Sequence, residues 1–152
     1  MQDYNLTNHD IDAACHQVEI FCERANGEKR DILRTRLAVE ETLLKYQEAF
    51  GTKGTFQFQC RKRINRLHAS FSIPGERLDV VHTDGGEESA ILKGILSGMG
   101  EIPAWQFKNG VNYLTFVLKK KKLSPAVSLQ AAVLFGFRNF WKWFWELYRT
   151  IF

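Results

Sequence analysis

The sequence predicts an α+β domain: a two-layer sandwich with helices on one face of a mostly antiparallel sheet of four to five strands. A separate aromatic, amphipathic helix follows at the C-terminal end. Three observations predict this. Two segments, 55–73 and 105–118, alternate apolar and polar residues with the period of a half-buried strand. Three other segments repeat their apolar residues every three to four positions, the period of a helix lying on a core. The composition then changes at about residue 120, which divides the chain into a domain (1–120) and a basic, aromatic tail (121–152).

The elements follow in order. Residues 10–25 form a helix, with Ile11, Ala14, Cys15, Val18, Phe21, Cys22 and Ala25 on one side, Asn8 or Asp10 as its cap and Gly27 at its end. Residues 29–50 form a longer one, in which Leu33, Leu37 and Leu44 make a narrow apolar stripe flanked by Glu40 and Glu41. Gly51 and Gly54 open a loop. In the first hairpin, Phe56, Phe58 and Cys60 alternate with Gln57 and Gln59. Leu67, Ala69, Phe71 and Ile73 alternate with His68, Ser70 and Ser72, and Pro74 and Gly75 stop the strand. A third helix spans about 87–97. A second hairpin turns at Asn109-Gly110, because both central residues of a type I′ turn need positive φ. The predicted order is α-α-β-β-α-β-β, which places helices against an antiparallel sheet.

Composition narrows the function classes. With 45% apolar and 25% charged residues the body is globular rather than disordered. Three cysteines without a CxxC pair exclude a disulfide framework and fit a reduced, cytoplasmic setting. Residues 1–10 are polar and do not read as a secretory signal. No histidine has metal-ligand spacing with a cysteine or carboxylate, and neither GxGxxG nor GxxxxGK occurs, so metal-site, Rossmann and P-loop chemistry find no support. The net charge of +4 leaves anionic partners open.

The charge is concentrated. Lys119, Lys120, Lys121 and Lys122 form one run; Arg61, Lys62 and Arg63 form another. Past the lysine run, Trp141, Trp143 and Trp145 stand among Phe135, Phe137, Phe140, Phe144, Tyr148 and Phe152. Arg138, Lys142, Glu146 and Arg149 fall four, four and three apart, so a helix collects them on one face and leaves the rest aromatic. Indole and phenol rings favour the lipid headgroup level, and lysines attract anionic lipid, so the tail reads as a membrane or partner contact. The competing reading is a helix packed on this domain or on a second copy of it.

The second helix carries a resemblance. Leu37-Ala38-Val39-Glu40-Glu41-Thr42-Leu43-Leu44-Lys45-Tyr46 resembles the first box of the GHKL superfamily of nucleotide-binding domains, which includes gyrase, sensor histidine kinases and anti-sigma-factor kinases. The hairpin 55–73, the segment Phe71 to Asp79 and the closing hairpin around Asn109-Gly110-Val111-Asn112 resemble later parts of the same domain, in the same order. The resemblance implies ATP with Mg²⁺ as ligand, Glu41 as the residue that polarises water, and a nucleotide site at Lys45, Ser72, Gly75, Gly94, Gly98 and Gly100. Three departures bear on that. Lys45 stands where the family has its Mg²⁺-binding asparagine, and a protonated lysine ligates no metal. Ser72 stands where the adenine-binding aspartate belongs. The lid keeps only scattered glycines.

The expectation is therefore a regulatory, ATPase-like binding domain at the inner face of a membrane, degenerate for hydrolysis. It acts through contacts with a protein partner or in a homodimer, with no catalytic metal. Two alternatives stand beside it. One is an active ATP-binding kinase of the anti-sigma type. The other is a single-stranded nucleic-acid module using Arg61, Lys62, Arg63 and Arg66 with Phe56 and Phe58, which requires those rings to be exposed. Their alternation with glutamine places them in the core instead, so nucleic acid is not the expected partner.

Overall fold

The computed structural model describes residues 2–82, 86–97, 102–119 and 145–151, with the backbone course alone at 86–91. The elements run β1 (Asp3–Asn5), α1 (Asn8–Arg24), α2 (Lys29–Phe50), β2 (Thr55–Lys62), β3 (Arg66–Pro74), α3 (Gly86–Ser97), β4 (Ala104–Lys108) and β5 (Val111–Lys119). The five strands form one sheet in the order β1-β2-β3-β5-β4, every neighbour antiparallel. The α+β architecture is the expected one.

One strand lies outside the sequence reading. β1 pairs with β2 at the start of the domain, Tyr4 opposite Phe56, so the order begins with β rather than α. Leu6 N–H extends the ladder to Gly54 C=O at 2.8 Å, and the Leu6 side chain is fully buried. The cap of α1 is also different. Thr7, not Asn8 or Asp10, takes the N-cap position, its Oγ1 accepting from Asp10 N–H at 3.2 Å. Asp10 closes back on Asn5 N–H at 2.9 Å. One orphan donor of the helix start and one backbone donor at the end of β1 are thereby satisfied. At the other end Asn26 adopts φ 61°, with Gly27 N–H bonded to Cys22 C=O and Asn26 N–H to Glu23 C=O, a Schellman turn.

α2 has the predicted bounds but a different buried face. Ile32, Thr35, Ala38, Val39, Thr42, Leu43 and Tyr46 point into the core, while Leu33 and Leu37 are 56% and 42% exposed. Leu33 and Leu37 face outward, while Leu44 packs partly buried against the core, because the sheet and the flanking helices select the opposite side, where small and β-branched residues allow close approach. Thr42 satisfies its buried hydroxyl by donating to Ala38 C=O at 2.6 Å. α2 lies between α1 and α3. Arg36 joins it to α1, with Nη1 2.5 Å from Glu19 Oε2 and Nη2 3.7 Å from Asp12 Oδ1.

The inner face of the sheet is aromatic. Tyr4 stacks on Phe56 at 5.4 Å, Phe58 on Phe71 at 5.7 Å, and Phe71 meets Phe116 edge-on at 5.9 Å, linking β1, β2, β3 and β5. The register puts Gln57, Gln59, Ser70, Ser72, Tyr113 and Thr115 on the other face, which the helices leave open. Asn109 (φ 53°) and Gly110 (φ 74°) make the second hairpin turn in the left-handed conformation that the Asn-Gly pair predicts.

In the tail, Lys120, Lys121, Lys122, Trp141 and Trp143 lie outside the described residues. Residues 145–151 are helical, with Trp145 60% exposed and edge-on to Tyr148 at 5.8 Å. Among the described residues, no helix is long and apolar enough to cross a membrane.

Candidate functional site

The described part of the candidate site lies where α2 meets the loop after β3. Arg36 fixes the flank of α2 that faces α1. By the 100° step of a helix, Glu41 and Lys45 lie on the opposite flank, which faces α3. Both are half-buried, and among the described residues they form no ion pair with each other. One step further round, Tyr46 is fully buried and donates its hydroxyl to Leu78 C=O at 2.6 Å. Burial pushes the Tyr46 phenol far above its ordinary pKa; the neighbouring Trp105 side chain offsets part of the rise and the Asp79 carboxylate adds a little to it, so Tyr46 acts as a neutral donor.

The loop at 75–82 is built around side chains that bond the backbone. Asn112 on β5 is fully buried, and its Oδ1 accepts from Leu78 N–H at 3.0 Å. Its Nδ2 donates to Glu76 C=O at 2.8 Å and Ile73 C=O at 3.3 Å. Asp79 Oδ1 accepts from the N–H groups of Val81 (3.0 Å) and His82 (2.9 Å), and its Oδ2 lies 2.9 Å from His82 Nδ1. The guanidinium of Arg77 lies 5.4 Å from the centre of the Trp105 ring. Asp84 lies outside the described residues.

The fold does not bring all the sequence candidates together. Ser72 is the main departure. It alternates with the buried Phe71 and Ile73, so its side chain lies on the open face of the sheet, opposite to α2 and Glu41. Gly75 sits at the turn, φ 149°, with its N–H bonded to Gly110 C=O at 3.0 Å. A Cβ there would come within 2.9 Å of the Phe50 ring, which gives this glycine a packing role. Gly94 lies in α3 with open space around it, and Gly98 and Gly100 lie outside the described residues. Lys119 is exposed at the end of β5. Phe56 is fully buried and Phe58 half-buried within the aromatic ladder, which removes the stacking platform the nucleic-acid alternative requires.

Asn112 and Tyr46 are the residues whose roles sequence reasoning missed. Each had a signal: Asn112 is a polar residue at an inward position of an alternating strand, and Tyr46 continues the buried period of α2. Two clefts among the described residues stand apart from this site. One, of about 420 Å³, lies between α1 and β2; the other, of about 310 Å³, lies at the α1–α2 turn. Glu41 and Lys45 line neither.

With this geometry in view, the fold matches that of a histidine kinase catalytic domain. The similarity is to the catalytic domain of the histidine kinase ThkA, in two nucleotide-free crystal forms. At 14% and 13% sequence identity the matches cover 78% of this chain and 96% and 95% of the kinase domain, each with a TM-score of 0.50. No family model and no curated protein sequence matches the chain.

Proposed function

We propose that this chain is a regulatory domain of GHKL fold that does not hydrolyse ATP and acts through contacts with another protein at a membrane surface. Lys45 carries the reading. It is half-buried on the same flank of α2 as Glu41, one helical turn away, so a fixed cation stands where the fold would need a neutral oxygen for Mg²⁺. The residues at hand do not fit Mg²⁺-ATP in two further respects. Ser72 lies on the open face of the sheet, and Asp79, the aspartate of the loop after β3, spends its oxygens on Val81, His82 and the His82 ring.

The membrane clause is supported by the sheet register. Arg66 pairs with Lys119 and Arg61 with His68, so the two basic runs, far apart in sequence, end at the same edge of the domain. From that edge the chain leads into Lys120, Lys121, Lys122 and the tryptophan-rich tail. Cations gathered at one edge attract an anionic surface.

Isothermal titration of the full chain with ATP, with and without Mg²⁺, tests the nucleotide clause. The expected result is weak binding at most, indifferent to Mg²⁺; tight, Mg²⁺-dependent binding overturns it. If phosphate release is nonetheless observed, its loss in Glu41→Ala supports the active-kinase alternative, and its persistence ends that alternative.

A further inference from the structure

The domain has an unpaired strand edge beside an apolar cleft. β1 covers only the first part of β2, from Thr55 to Gln57. The hydrogen-bond parity of β2 can be read from both of its sides. Leu6 N–H to Gly54 C=O places the bonds toward β1 at even positions of β2, and Arg63 N–H to Arg66 C=O places those toward β3 at odd positions. The N–H and C=O groups of Cys60 and Lys62 therefore point away from β3, past the end of β1. Among the described residues, no strand meets them.

On the helix side of this edge lies the cleft of about 420 Å³, its apolar part lined by Tyr4, Ile20, Phe21, Phe58 and Cys60 and its polar part by Gln2, Gln17 and Arg24. Residues opposed in a ladder share a face. A side chain opposite Cys60 on an added strand would therefore enter the cleft. The rim is basic: Arg24, Arg61, Lys62 and Arg63 are all exposed. A second copy pairing edge to edge would set this basic run against itself, which selects against self-association here.

We propose that the edge at Cys60–Lys62 is a docking site for an extended, acidic peptide segment of a partner protein, added as a sixth strand. An apolar side chain of that segment seats in the cleft, and flanking carboxylates meet the basic rim. The proposal rests on the reading that the domain works through protein contacts, and it supplies the site and the chemistry of the partner.

The probe is a fluorescein-labelled peptide of alternating glutamate and valine, seven residues long, titrated into the full chain and followed by anisotropy. Cys60→Pro removes an N–H that the fold itself leaves unused, and proline is tolerated at such an edge. Cys60→Pro should bind about tenfold more weakly than wild type, the loss of one hydrogen bond of about 1.4 kcal/mol. Equal binding by a folded Cys60→Pro, or no binding by wild type, overturns the proposal. Should Cys60→Pro fail to fold, a peptide methylated at alternate backbone nitrogens asks the same question of the unaltered protein. One of its two methylation registers should abolish binding, and unchanged binding of both overturns the proposal. ATP titration of the same proteins fails or succeeds independently of this edge.

Discussion

Asn112 holds the loop that follows β3 by three hydrogen bonds, to Leu78 N–H and to the carbonyls of Ile73 and Glu76. Replacing it with alanine strands those groups under a closed core. Asn112→Ala should lower stability by about 2–4 kcal/mol in urea unfolding, with little change in slope, a cost set by unsatisfied backbone groups. The cysteines make a second residue-scale test. Burial pushes the Cys15 and Cys22 thiols up to about 12, Glu40 adding to the rise at Cys15, and burial pushes Cys60 up to about 11. All three are free and protonated at neutral pH. Because the folded pKa values are raised, the stability they contribute is fully present below the unfolded value of 9.0. It is lost as pH rises through the folded values. Unfolding midpoints should therefore fall between about pH 9 and 12, and a Cys15→Ala, Cys22→Ala double variant should lose less over that window.

Among the elements, α2 separates what the sequence makes legible from what it hides. Its two faces predict opposite outcomes. Leu33→Lys on the exposed side should change stability by less than about 0.5 kcal/mol, whereas Leu43→Ala, at 1% exposure, should cost about 2–5 kcal/mol. Thermal melts of the two variants check this, and the reverse order would place the leucine stripe in the core after all. The sequence argues for the leucine face because Leu33, Leu37 and Leu44 fall on one line of the helix. The buried face intersperses Thr35, Ala38 and Thr42 among Ile32, Val39, Leu43 and Tyr46; these smaller residues allow close approach, Thr42 bonding its hydroxyl back to Ala38, and they dilute the apolar signal of that face. The hairpins were legible because a period of two shows directly which residues share a face, and an Asn-Gly pair names its own turn. β1 was not, because three residues with one inward side chain, Tyr4, make no period at all. The candidate site divides the same way. Glu41 and Lys45 could be placed from helix geometry, but the side of the sheet that Ser72 occupies depends on which strand face meets the helices.

At the scale of the molecule, the question is how much of the chain the fold needs. Every described core residue lies between Leu6 and Leu118, and the last described strand ends at Lys119. Deleting 120–152 should therefore leave a folded domain whose melting temperature falls by no more than a few degrees, since no described core packing is removed. Membrane association should respond differently, because its two contributions are split. The strand-end cations Arg61, Arg63 and Lys119 stay with the domain, while the lysines and tryptophans beyond them leave with the tail. Flotation with vesicles of phosphatidylcholine and phosphatidylglycerol should carry the full chain upward and release the truncated one. Raising salt from 0.1 M to 1 M, which shortens the Debye length from about 10 to about 3 Å, should weaken the full chain's binding without abolishing it, the indoles remaining inserted. Loss of folding on truncation would instead place the tail in the core of the domain. Equal flotation of both forms would put the membrane contact on the sheet's basic edge alone.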